Sequence, residues 1–229
     1  MKKVFLALLV LVATAGTASA QVEIGLKVSP GITFLAADAP TDHAIKSEGS
    51  RLGFGGGLVV DYFFGENYAF GTGLQFMSKG GSYSYVYKDG NNVTQAAGTT
   101  KLAIHYLELP LTVKLFTNEI ASGTKLYFQT GFSLATPIGA RINGEKRYID
   151  PVTNQETTAF QHVVFLDANF LVSIGAEYTL GQNTKTFAGI SYHRGLLNTD
   201  SYFNDERSPK LKDVVLKNNV FALDLGLKF

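Results

Sequence analysis

Ser191-Tyr192-His193 sets a hydroxyl and an imidazole two residues apart. On an extended strand that spacing puts both side chains on one face. Asp167 or Glu177, on the preceding apolar-polar segment, could orient the imidazole. A nucleophile, a base and an orienting group are what acyl transfer requires. Ser191 and His193 fit equally well as two polar groups filling an interior, so the triplet is compatible with catalysis without indicating it. His43, His105 and His162 show no metal-ligand spacing, and a chain without cysteine has no thiolate site. Gly53, Gly55, Gly56 and Gly57 do not form a phosphate loop, because no helix follows them. No cofactor is implied.

The other groups with chemical potential are charges spaced along alternating segments. Glu23, Lys27, Arg51, Asp61, Lys79, Glu108, Lys114, Asp167, Glu177, Asp224 and Lys228 all fall on the polar side of such segments. A net charge of +1 gives no electrostatic case for nucleic acid. Both signs interleave, which suits pairing of one charge with another better than attraction of a charged partner.

Those segments have a period of two. In Val22 to Phe34, Val22, Ile24, Leu26, Val28, Ile32 and Phe34 share one face, and Glu23, Gly25, Lys27, Ser29, Gly31 and Thr33 share the other. Such alternation reads as a strand between two different environments. It recurs around Leu52–Phe64, Tyr68–Phe76, Leu107–Leu115, Leu126–Leu134, Leu166–Tyr178, Ala188–Tyr192 and Val220–Phe229, so eight strands are expected and no helix. Leu102, Ile104 and Tyr106 carry apolar groups on the other parity, which predicts a bulge near Tyr106–Leu107. The connections alternate: Gly65–Asn67, Thr117–Thr124 and Gly181–Lys185 are short, whereas Ala36–Ser50, Gly80–Thr100, Arg141–Gln161 and Asn198–Asn218 are long and polar. Eight antiparallel strands with alternating short and long connections describe an up-and-down transmembrane β-barrel with four long external loops.

Alternation does not say which face is inside. A soluble barrel would bury the apolar face. The polar face here is dominated by Gly, Ser and Thr, which suits the narrow interior of an eight-stranded barrel and leaves the apolar face to lipid. Tyr62, Phe64, Tyr68, Phe70, Phe116, Tyr178 and Phe229 gather near the short turns as an interfacial girdle. Residues 1–20, with Lys2 and Lys3, an apolar run and Ala18-Ser19-Ala20, read as a cleaved secretory signal peptide, leaving residues 21–229 as the barrel domain. The interior then holds Glu23, Lys27, Asp61, Glu108, Lys114, Asp167, Glu177, Asp224 and Lys228. Glu23, Asp61, Lys114, Glu177 and Lys228 belong to the short-turn end, and Lys27, Glu108, Asp167 and Asp224 lie nearer the middle. Buried charges must pair, so a salt-bridged plug with negligible conductance is expected rather than an ion path.

Three stretches resemble the PorT-like family of small outer-membrane β-barrels, with an OmpA/OmpX-type architecture. They are Tyr106-Leu107-Glu108-Leu109-Pro110-Leu111, the strand–turn–strand within Phe54–Tyr83, and Tyr192-His193-Arg194-Gly195-Leu196. Phe221, Leu223, Leu225, Leu227 and Phe229 resemble the C-terminal strand signal that the barrel-assembly machinery reads in such proteins. The resemblance implies an integral outer-membrane location, contact with outer-membrane lipid, and a non-enzymatic structural or accessory role in an envelope or secretion assembly. A porin-like channel is the alternative. A lipid A-modifying barrel enzyme is a weaker one, because lipid A deacylases carry His-x-Ser followed by Asn, facing lipid, and the order here is reversed. Function is expected in the loops. Ser82–Tyr87 reads as a strand extending above the membrane, with Tyr83, Tyr85 and Tyr87 on one face for protein or glycan contact, or for cross-strand packing. Lys88-Asp89-Gly90-Asn91 and Ile142-Asn143-Gly144-Glu145 read as hairpin turns.

Overall fold

The computed structural model describes residues 22–39, 45–88, 94–150, 154–182, 184–203 and 214–229. The expected signal peptide, residues 1–20, and Asp89-Gly90-Asn91 of the first expected hairpin turn lie outside them. Alternating segments become strands: β1 (Val22–Asp38), β2 (Lys46–Gly65), β3 (Tyr68–Lys88), β4 (Thr94–Phe116), β5 (Thr124–Ile142), β6 (Arg147–Ile149), β7 (Glu156–Thr158), β8 (Asp167–Thr179), β9 (Lys185–Gly195) and β10 (Val215–Lys228). β6 and β7 form a small separate hairpin. The other eight close a barrel in the order β1-β10-β9-β8-β5-β4-β3-β2, every pair antiparallel. The antiparallel β1–β10 ladder, from Gly25–Lys228 to Asp38–Val215, closes the barrel, and beyond its end Ile24 N donates to Phe229 O (3.2 Å) and Phe229 N to Ile24 O (2.8 Å). Among the described residues no helix is long and apolar enough to cross a membrane.

The two faces of each strand have the environments that alternation demands. On β1, Ile24, Leu26, Val28 and Ile32 point outward and are 46–59% exposed, while Glu23, Lys27, Ser29 and Thr33 are buried. A broad outward band of Leu, Ile, Val and Phe is what a lipid-facing wall requires. The Asn143-Gly144 turn forms as read. Its φ angles are +52° and +92°, and Ile142 and Glu145 exchange two 2.9 Å backbone hydrogen bonds. Positive φ at both central positions matches the twist of the flanking strands, and Asn-Gly adopts it at least cost.

Two expectations are corrected. β4 carries no bulge at Tyr106–Leu107. Leu102, Ile104 and Tyr106 keep the parity of Glu108, Thr112 and Lys114 and point into the barrel with them. The irregularity lies across the ladder on β5, where His105 pairs with Gly139 and Tyr106 with Pro137, leaving Ile138 as the extra residue. Phe116 is not part of the aromatic girdle, since it too points inward and is buried. Tyr62, Phe64, Tyr68, Phe70, Tyr178 and Phe229 are exposed near the short turns.

Candidate functional site

The lumen is filled in layers. At the short-turn end Phe116, Tyr127 and Phe187 form an aromatic floor with Val59, Ala69 and Phe63. Phe116 stacks on Phe63 at 5.4 Å and meets Tyr127 at 6.1 Å. Tyr127 occupies a notch cut by the paired Gly175 and Gly189. A Cβ on either glycine would strike its phenol. Lys228 and Lys114 stand over this floor, 5.5–5.8 Å from the rings of Phe116, Tyr127 and Phe187.

A network of charges lies above the floor. Lys228 pairs with Glu177, with Asp61 at 2.6 Å and with Glu23 at 3.5 Å. Lys114 pairs with Asp61 at 2.7 Å, and Lys185 with Glu23. Further up, Asp224 lies 3.4 Å from Lys27 and accepts a 2.5 Å hydrogen bond from Ser29 Oγ. Higher still, Lys79 is fully buried, 2.5 Å from Glu108 and 3.9 Å from Asp167, and donates to Asn169 Oδ1 at 2.9 Å. All nine charges expected inside are buried, and each has an oppositely charged partner. Lys185 completes the lower network, although the sequence placed it at the edge of a turn. Between Lys114 and Asp224 the free space is a cavity of about 20 Å³, room for roughly one water.

The upper lumen is apolar. Leu35, Leu102, Ile104, Tyr106, Ile142 and Leu216 project inward beneath Ala159, Val163, Tyr202, Phe203 and Val214 from the long connections. The connection after β5 and the one after β9 dock on each other. Tyr202 meets the His162 ring edge-on at 4.8 Å and donates its hydroxyl proton to Asp150 Oδ2 at 2.5 Å. Thr199 Oγ1 and Asn198 Nδ2 donate to the carbonyls of Leu216 and Val214.

Residues 15–201 match the family described as outer membrane protein beta-barrel domain. The chain belongs to that family. It is therefore a bacterial outer-membrane protein, and its outward apolar band faces lipid. No curated protein matches the sequence. Among solved structures, neisserial surface protein A is similar at 12% identity, with 93% of this chain and 100% of that one covered and a TM-score of 0.46. The N-terminal β-barrel domain of Pseudomonas aeruginosa OprF is similar at 12% identity, over 92% and 100%, at 0.42. The outer membrane protease OmpT from Escherichia coli is similar at 11% identity, over 93% and 98%, at 0.42. Likenesses this distant carry no conclusion about activity.

Within this outer-membrane barrel, the acyl-transfer set does not assemble. Ser191 and His193 are both buried in the lumen. His193 sits opposite Leu171 in the ladder, four residues from Asp167 and six from Glu177 along β8. At about 3.3 Å per residue, these carboxylates are roughly 13 and 20 Å away along the strand, and both are engaged by lysines. The charges that act on His193 are instead Glu108 and Lys79, and Lys27 and Asp224. The tyrosine row also turns inward. Tyr83 is buried against Phe203 at 5.8 Å, and Tyr85 is half-buried beside it. Both line a cavity of about 180 Å³ under the cap with Tyr148, His162 and Tyr202. Tyr83 and Tyr85 thus belong to the roof of the lumen and not to an outer contact face. The side chain of Tyr87 lies outside the described residues. In the last strand Phe221, Leu223, Leu225, Leu227 and Phe229 all face outward.

Proposed function

We propose that this protein is a closed, non-enzymatic barrel that serves as a structural or accessory component of an envelope or secretion assembly and meets its partners through its outer cap. The observation that carries the reading is the state of the lumen. Among the described residues, aromatic floor, paired charges and apolar roof follow one another through the lumen, which favours neither solute passage nor chemistry inside the barrel. Work is left to the surfaces. Above the barrel, Ile149 (65% exposed) and Phe160 (45% exposed) stand on the hairpin and short 3-10 turn of the cap. Ordered apolar groups on an aqueous face suit protein contact.

The test is in-cell photocrosslinking from positions 149 and 160, followed by mass spectrometry of the captured proteins. Defined envelope or secretion proteins, captured near stoichiometrically and lost on Ile149→Ser/Phe160→Ser, are the expected result. Capture of only lipid and the barrel-assembly machinery would overturn the accessory role. An altered lipid A mass profile in Ser191→Ala/His193→Ala cells would overturn the non-enzymatic one.

A further inference from the structure

Near the long-loop rim, the outward face of the wall carries charge where the rest carries hydrocarbon. The β2–β3 ladder is interrupted between the pairs Gly49–Ser82 and Gly55–Met77. Across this gap β1 touches β3 directly, Thr33 Oγ1 donating to Gly80 O at 2.7 Å. Within the gap Leu52 is 82% exposed. The Arg51 guanidinium fills the seam, donating to Ser78 Oγ at 3.2 Å and to Lys79 O at 2.9 Å. Beside it lies a cavity of about 460 Å³ lined by Arg51, Ser82, Lys101, His105 and Arg141.

Lys101 and His105 alternate with the buried Leu102, Ile104 and Tyr106, so both point away from the lumen. Arg141 joins them from β5, across from Ala103, its guanidinium held by the Gly144 carbonyl at 2.9 Å. The bulge at Ile138 widens the cradle. A Cβ on Gly139 would meet only His105, at 3.8 Å. Among the described residues, none of Arg51, Lys101 or Arg141 forms an ion pair with a carboxylate, and His105 Nδ1 has no hydrogen-bond partner. The carboxylate of Glu48, on the same stretch of β2, is engaged by the Ser84 hydroxyl at 2.5 Å. Directly below, Leu52, Leu107 and Ile138 are exposed on the lipid-facing wall.

Unpaired cations at the edge of a bilayer are costly and turn toward whatever anion the interface offers. Here three strong cations and an imidazole converge immediately above hydrocarbon-facing residues. A water-borne anion would use the cations alone, whereas a phosphorylated lipid uses both halves of the surface. We propose that Arg51, Lys101, His105 and Arg141 bind the phosphate of an acidic outer-leaflet lipid, whose acyl chains lie along Leu52, Leu107 and Ile138. The site is independent of the accessory role, because it lies on the wall and not on the cap.

Native mass spectrometry of the full-length protein in detergent, titrated with diphosphoryl lipid A, tests this. A retained one-to-one adduct is expected, resistant to excess phosphatidylcholine. Each cation contributes about fivefold in affinity at a membrane surface, so Arg51→Gln/Lys101→Gln/Arg141→Gln should bind roughly a hundredfold more weakly. Because Arg51 also closes the seam, Lys101→Gln/Arg141→Gln is measured alongside, with about a 25-fold loss expected from a barrel whose ladder is untouched. Unchanged binding in the double variant, or equal retention of phosphatidylcholine, would overturn the proposal. Displacement of the lipid by equimolar inorganic phosphate would assign the site to a free anion and overturn it too.

Discussion

Lys228→Met isolates what the lower charge network contributes. Lys228 serves three buried carboxylates, but not equally. Asp61 keeps Lys114 at 2.7 Å and Glu23 keeps Lys185, whereas Glu177 has no second ion pair among the described residues and feels Lys114 only at longer range. The substitution therefore leaves one carboxylate without a direct ion pair and weakens two. Leaving a buried charge without its partner costs about 3–5 kcal/mol, roughly two to three and a half powers of ten in the folding equilibrium. The loss should reside mainly in Glu177, so adding Glu177→Gln should recover about 2 kcal/mol or more. Adding Glu23→Gln instead should recover much less. The assay is urea titration of protein refolded in micelles, read by far-ultraviolet circular dichroism and heat-dependent gel mobility, since the chain has no tryptophan to report. Refolding in micelles also separates stability from cellular assembly. A loss below about 1 kcal/mol, the range of exposed pairs, or equal recovery by Glu177→Gln and Glu23→Gln, would refute the view that these charges pair as a sealed network.

Three further outcomes follow from the same geometry. Gly189→Ala places a methyl against the Tyr127 phenol and the Ile174 carbonyl, so it should destabilise the barrel by about 1–3 kcal/mol in the same titration; a neutral result would mean that Tyr127 is not seated in that notch. Phe229→Ala removes a 61%-exposed outward ring but leaves its backbone bonds to Ile24; stability in micelles should change by under about 1 kcal/mol, while the folded fraction recovered from outer membranes falls sharply. Normal recovery would sink the reading of the last strand as an assembly signal. Purified protein in a planar bilayer should give no stepwise conductance, and a reproducible open level would contradict the closed lumen.

The strands were legible because lipid and lumen differ in polarity, and a period of two records that difference directly. Val22–Phe34 and Val220–Phe229 needed nothing else. The Asn143-Gly144 turn was legible for a separate reason, since few residue pairs accept positive φ twice. Depth was legible as well: with strand direction known, Glu23, Asp61, Lys114, Glu177 and Lys228 fall at one level, and the structure joins four of them through Lys228. Lys185 escaped because a residue at a strand end shows no alternation to either side. The cap escaped altogether. Its connections carry no period, and their partners are other connections, so nothing local announces that Tyr202 reaches Asp150 or that Phe203 covers Tyr83.

Leu102, Ile104 and Tyr106 show where the inference breaks and why. Alternation reports a contrast between two faces, so a segment whose lumen side turns apolar loses that contrast although its geometry is unchanged. In sequence the run mimics a shift of parity, when what shifts is the environment: the same face of β4 passes from paired charges at Glu108 to a hydrocarbon roof at Ile104. The glycine-rich face holds the complementary lesson. Small residues suit a narrow lumen, and the structure shows how: Gly175 and Gly189 make room for Tyr127 between them, and Gly226 for Phe187. At these three positions a gap in side-chain volume on one strand is filled by a ring from another. Read pairwise across the ladder, small against large, the inward described residues make a packed interior, and both the loss of apolar contrast above and the glycines below fit the closed barrel proposed above.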